Sequence, residues 1–166
     1  MYMKFAPSPY RELLDGLLTG LKKALGENLI SFVVYGSVAR GDYRKDSDID
    51  LLIICRDLPK EKLRRQELFI QVEDTLSLES LYKEGFYPDF SPVLKTVEEA
   101  KFLTPLYLDM VDDAVILYDA DGFFKSILNN LRANLKKQGA RRIYIGKKWY
   151  WDLKPGLKHG EVVTIE

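Results

Sequence analysis

Two short apolar runs, residues 29–35 and 48–55, joined by a polar loop, constrain the fold of this chain most. Each is rich in Val, Ile and Leu and bounded by breaking signals, so each predicts a short buried strand. Gly36 ends the first run. Residues 37–40 predict a brief helix or turn, and the loop 41–47 leads into the second strand at Asp48.

Around these strands the apolar spacing is helical. Residues 9–25 place Leu13, Leu14, Leu17, Leu18, Leu21 and Leu25 at helical intervals, with Ser8 to cap, Pro9 in the first turn and Gly26 as a stop. Pro59 opens a predicted long helix reaching about Lys83, built on Leu63, Phe69, Ile70, Val72, Leu76 and Leu81; Gly85 and Pro88 end it. Residues 89–95 predict a third strand, which Pro92 confines to an edge or makes irregular. A helix is predicted over 97–110, an apolar segment of undetermined type over 114–118, and a final helix over 121–138. The tail reads as two β-rich runs around Gly146-Lys147, a pair suited to a type II′ turn.

The expected fold class is α+β, or an α/β core with added helices: a small mixed sheet flanked by helices. Residues 1–95 are expected to form the core. Residues 96–166 are expected to form a helical and hairpin extension packed on it, or to complete a single domain.

Composition narrows the function. Lys+Arg and Asp+Glu are both 25, so the formal net charge is zero, which argues against a surface that embraces nucleic acid as a whole. No apolar run approaches the ~20 residues a membrane-spanning helix needs. The N-terminus carries no apolar stretch of signal-peptide type. The one cysteine, Cys55, lies in an apolar run and suits a reducing cytoplasm. The one histidine, His159, excludes a His-rich metal site and a His-based triad, and its turn-like surroundings predict an exposed residue without function.

Chemistry concentrates between Tyr35 and Ile54. Gly36 allows a sharp turn after a strand and close approach of a phosphate to the backbone. Ser37 adds a hydroxyl where a helix begins and N–H groups lack partners, a ready anion site. Arg40, three residues on, can reach the same phosphates as a forked cation. Asp48 and Asp50 are two apart on a predicted strand, so both carboxylates project from one face while Ile49 turns to the core. Two like charges so close are costly unless a cation lies between them, and a hard divalent ion such as Mg²⁺ takes such oxygen ligands together with triphosphate oxygens. Each of these features alone is ordinary turn, cap or surface chemistry. Together, in this order, they are not.

The segment resembles the Gly-Ser, ten residues, Asp-x-Asp signature of the minimal nucleotidyltransferases of the DNA polymerase β superfamily, down to Ala39-Arg40-Gly41 and Ser47. That resemblance implies a nucleoside triphosphate, ATP in the first instance, held by Gly36, Ser37 and Arg40. It implies Mg²⁺ or Mn²⁺ held by Asp48 and Asp50, and transfer of a nucleoside monophosphate to an acceptor hydroxyl with release of pyrophosphate. Small proteins of that family also resemble antitoxins that silence an all-helical toxin, so a regulatory protein partner is an alternative. A nucleotide-binding module without turnover is another.

Active members place a third carboxylate on a later strand. Asp89 is the only acid in the corresponding stretch here, so it is the candidate, with a turn residue after Pro88 as the competing explanation. If Ser91 is the true equivalent, the third carboxylate is missing. Glu98 and Glu99 are fallback candidates that a helix start explains equally. In the tail, cations interleave with Tyr144, Trp149, Tyr150 and Trp151. They could engage a nucleic-acid strand, but the alternation of Trp149 and Trp151 against Tyr150 favours a hairpin whose aromatics cover the core.

Overall fold

The computed structural model describes residues 10–146 and 148–164. Strands β1 (Leu29–Tyr35), β2 (Ile49–Cys55), β3 (Phe90–Thr96) and β4 (Val115–Asp119) form one sheet in the order β3-β2-β1-β4. β1 runs antiparallel to β2 and to β4, and β2 runs parallel to β3, so the sheet is mixed. The fold is the α+β arrangement expected.

Side-chain alternation along β1 and β2 divides the core into two layers. Phe32, Val34, Leu51 and Ile53 face helix α1 (Tyr10–Leu25), through Leu13, Leu14, Leu17 and Leu21, and helix α3 (Lys62–Glu73), through Phe69 and Val72. Val33, Tyr35, Leu52 and Ile54 face the short helix α6 (Leu106–Met110), through Tyr107 and Met110, and helix α7 (Phe123–Lys137), through Phe124, Leu128, Leu131 and Leu135. Every residue of β1 is buried, as a central strand covered on both faces requires.

The Ser31 side chain is polar and sits inside the core. The Ser31 hydroxyl donates to Asp119 Oδ1 at 2.6 Å, and the same carboxylate accepts from the Phe124 and Lys125 N–H groups at 2.9 and 3.0 Å. β1, the end of β4 and the start of α7 are thereby tied together, and a buried hydroxyl is satisfied.

Several elements depart from the sequence expectations. The helix expected from Pro59 to Lys83 is two helices, α3 and α4 (Glu79–Lys83). Between them the Thr75 hydroxyl bonds the Val72 carbonyl at 2.7 Å, the local competition that ends helices at Ser and Thr. The helix expected over 97–110 is likewise two, α5 (Val97–Lys101) and α6, because Pro105 has no N–H for a continuing helix and starts a new one instead. The undetermined segment 114–118 is strand β4 and pairs with β1. The edge strand β4 and the covering helix α7 come from the segment after residue 95.

β5 (Arg141–Ile145) and β6 (Lys148–Asp152) form the expected hairpin. Gly146 has a φ of 60°, and the type II′ assignment rests on Lys147, outside the described residues, as does the Ser8-Pro9 start of α1. The hairpin docks on the α6 side: the Trp151 indole N–H donates to the Leu108 carbonyl at 3.0 Å, and Arg142 pairs with Asp113 at 2.5 Å. The Arg142 guanidinium also lies 3.7 Å from the Trp149 ring centroid. Among the described residues, no helix is long and apolar enough to cross a membrane.

Candidate active site

The residues singled out in the loop after β1 converge at one end of the sheet. Tyr35, the last residue of β1, pairs with Asp50, the second residue of β2. Gly36 follows immediately with φ +69°, in the left-handed region that glycine tolerates. A Cβ at Gly36 would lie 2.1 Å from Asp50 Oδ2. The glycine thus serves two needs at once, the turn and the space for a carboxylate against the backbone. Helix α2 (Gly36–Arg40) is a single turn and a half, so it offers N–H groups and the Ser37 hydroxyl more than any macrodipole.

The loop that carries the chain from Arg40 to Asp48 is fixed by its own polar groups. The Ser37 carbonyl accepts from the Gly41 and Asp42 N–H groups at 2.9 and 3.2 Å. The Ser47 hydroxyl accepts from the Arg44 N–H at 2.8 Å. Lys45 donates to the Glu84 carbonyl at 2.9 Å, and Tyr43 meets Tyr10 edge-on at 4.8 Å between centroids. The family-like Ser47 is a loop clasp.

β2 begins at Ile49, so Asp48 stands exposed just before the strand while Asp50 is half-buried within it. Burial pushes the Asp50 carboxyl above its ordinary range, the neighbouring Asp48 charge adds to this, and the Arg40 guanidinium opposes it. Arg40 itself is held at Nε by Asp42 Oδ2 at 3.3 Å. Gly36, Ser37, Arg40, Asp48 and Asp50 are brought together.

Asp89 lies beside them by its backbone, its carbonyl accepting from the Ile49 N–H at 2.8 Å. Its carboxylate is exposed, and its Oδ1 accepts from the N–H of Phe90 at 3.0 Å. The parallel register pairs Asp50 with Ser91, so the position on β3 beside Asp50 is neutral. Glu99 belongs to a capping box, accepting from the Thr96 N–H at 2.9 Å while Thr96 caps the Glu99 N–H, and it also holds Arg65 at 2.7 Å. Glu98 pairs with Lys101 at 2.7 Å. Both fallback acids have structural work.

The acid missed in the sequence is Asp109 on α6. Its charge acts on both Asp50 and Tyr35, and it in turn feels Arg40. Burial, chiefly, raises its carboxyl, while burial and then Asp50 and Asp109 push the Tyr35 phenol up to about 12. A signal was present. Asp109 is the only charged residue in the apolar stretch 102–111.

Among the described residues, no three acidic, histidine or cysteine side chains converge closely enough to make a metal site on their own. The Asp48–Asp50 pair nonetheless fits a hard divalent ion. Both donors are carboxylates, their mutual repulsion is relieved by a cation, and Gly36 leaves the Asp50 oxygens uncovered.

Residues 14–114, which hold β1 to β3 and the residues gathered here, match the family model for the nucleotidyltransferase domain. The chain belongs to that family and is a transferase. It is 31% identical over 143 residues to a Methanocaldococcus jannaschii protein provisionally named protein adenylyltransferase MJ1305, a match covering 85% of this chain and 92% of that one. A second protein of the same organism, provisionally named protein adenylyltransferase MJ0141, is 30% identical over 67 residues, 40% of this chain and 66% of that one. Among solved structures, a toxin–antitoxin complex with AMP-PNP is similar at 17% identity and a TM-score of 0.47, over 75% of this chain and 91% of that one. A tri-AMPylated Shewanella oneidensis HEPN toxin in complex with its MNT antitoxin is similar at 15% identity and a TM-score of 0.44, over 77% and 92%.

Proposed function

We propose that this chain is a cytoplasmic, divalent-metal-dependent adenylyltransferase that moves AMP from ATP to a hydroxyl of a protein acceptor. The observation that carries the reading is the Asp50 carboxylate held against Gly36, with Asp48 and Arg40 beside it. The name of the M. jannaschii relative supports a protein as acceptor, and a lone buried Cys55 suits a reducing compartment.

In this reading the Gly36 backbone, the Ser37 hydroxyl and Arg40 hold the β- and γ-phosphates, and Asp48 and Asp50 hold Mg²⁺ or Mn²⁺. The ion, when bound, supplies Lewis-acid stabilisation of charge on the phosphates. The acceptor oxygen bonds to the α-phosphorus, the bond from that phosphorus to the bridging oxygen breaks, and pyrophosphate leaves with the electron pair. The acceptor's proton passes to solvent. Asp89 is left outside this scheme, because its carboxylate is exposed and accepts from the N–H of Phe90 on its own strand.

Ser37→Ala should weaken ATP binding by about 1.5–3 kcal/mol, the worth of a hydrogen bond to a charged group, and AMP binding far less. Calorimetric titration with both nucleotides checks this. Equal weakening would move Ser37 out of the phosphate site. The acceptor itself is found by incubating the protein with each α-labelled triphosphate, Mg²⁺ and a cell lysate. Label entering a protein from ATP is expected, whereas label entering only nucleic acid would overturn the protein-acceptor reading.

A further inference from the structure

Between α6 and the β5–β6 hairpin lies a shallow, open cleft of about 620 Å³ lined by Pro105, Leu106, Leu108, Asp109, Trp149 and Trp151, among others. Its walls are aromatic and aliphatic, with one carboxylate. Trp151 is pinned to α6 by its bond to the Leu108 carbonyl, and Trp149 is backed by the Arg142 guanidinium, itself fixed by Asp113. The aromatic wall is therefore held in place before any ligand arrives. Asp109 ties this cleft to the phosphate site by position: it lines the cleft on α6, and α6 packs through Tyr107 and Met110 on the sheet face that holds Tyr35, the register partner of Asp50 and the residue before Gly36.

We propose that this cleft seats the nucleobase of the triphosphate, with the base against the Trp149 side of the hairpin and its exocyclic amino group turned to Asp109. The inference rests on the triphosphate reading of Gly36 and Ser37. Three features favour a base over other occupants. The cleft adjoins the place where the phosphates of the same molecule would lie. Flat apolar walls suit a π-face, and indole rings are the strongest common platform for one. The one charged group on the cleft wall is an acceptor, which matches an amino donor and repels a phosphate.

The test is direct because Trp149 and Trp151 are the chain's only tryptophans. Titration of the full chain, in Mg²⁺ buffer, with an ATP analogue carrying a non-cleavable α–β bridge should quench tryptophan fluorescence. Inorganic tripolyphosphate should bind without quenching, and more weakly by on the order of tenfold to a hundredfold, the weight of one stacked base. Trp149→Leu, which keeps an apolar group beneath Arg142, should bring the analogue's affinity down to that of tripolyphosphate, and Trp149→Phe should restore most of the difference. Tripolyphosphate binding should be the same in all three proteins. A Trp149→Leu variant that keeps the full preference for the analogue would overturn the inference, as would equal binding of the two ligands by the wild type. Failure of tripolyphosphate to bind would overturn the phosphate site, and this inference with it.

Discussion

Asp50→Asn should raise the melting temperature of the metal-free protein at neutral pH and reduce nucleotidyl transfer by at least ~10²-fold, the scale of losing one charge-stabilising group at a reacting phosphate. The two effects share a cause. Burial and Asp48 raise the Asp50 carboxyl above its ordinary range in the folded protein, so ionised Asp50 opposes folding at any pH where it carries its charge. Below the unfolded-state value of about 3.9 the carboxyl is protonated in both states and the opposition vanishes. It reappears as pH rises through the folded-state value. The gain from Asn should therefore be full at neutral pH and absent in acid. Thermal scans of both proteins in chelator across that range measure it. A variant less stable than wild type at neutral pH would show that Asp50 is a structural carboxylate, satisfied without any cation.

Gly36→Ala should damage both fold and catalysis. The left-handed φ alone costs an alanine roughly 1–2 kcal/mol, and its Cβ would land on the Asp50 carboxylate, 2.1 Å from Oδ2. The carboxylate has to swing away or the β1–α2 turn has to open, and either change disturbs the proposed metal and phosphate sites together. The expected result is a destabilised but folded protein whose transfer falls at least as far as in Asp50→Asn. Chemical denaturation and a turnover assay at saturating ATP distinguish this from unfolding. Full activity in the alanine variant would mean that the approach of Gly36 to Asp50 has no part in function.

The centre of the site was legible because its parts are close in sequence and each carries a local physical signal. Gly36 is a turn residue after a strand, and Asp48 and Asp50 flank a core residue, Ile49, in strand alternation. A helix start at Glu98 and Glu99 was legible too, and the structure makes it a capping box of Thr96 with Glu99. What could not be read was anything set by register or by folding back. Whether Asp89 or Ser91 stands beside Asp50 depends on how β3 slides along β2, and the parallel pairing selects Ser91. Asp109 reaches the site because helix α5 stops at Lys101 and Pro105 starts another that lies over the Tyr35–Leu52 face of the sheet. Of the hairpin's aromatics, Trp151 packs on the core as expected while Tyr144 and Tyr150 are exposed, and the place of the tryptophans beside Asp109 needed the docked position of β6 on α6.

If Asp48 and Asp50 serve the transfer of a nucleotidyl group, the two ends of ATP have different fates. The protein is incubated with Mg²⁺ and its acceptor, once with ATP labelled at the α-phosphate and once with ATP labelled at the γ-phosphate. The α-label should enter the acceptor and the γ-label should appear only in pyrophosphate, and Asp50→Asn should lose both signals together. Entry of the γ-label into the acceptor, or undiminished transfer of the α-label by Asp50→Asn, would contradict that role for the two aspartates.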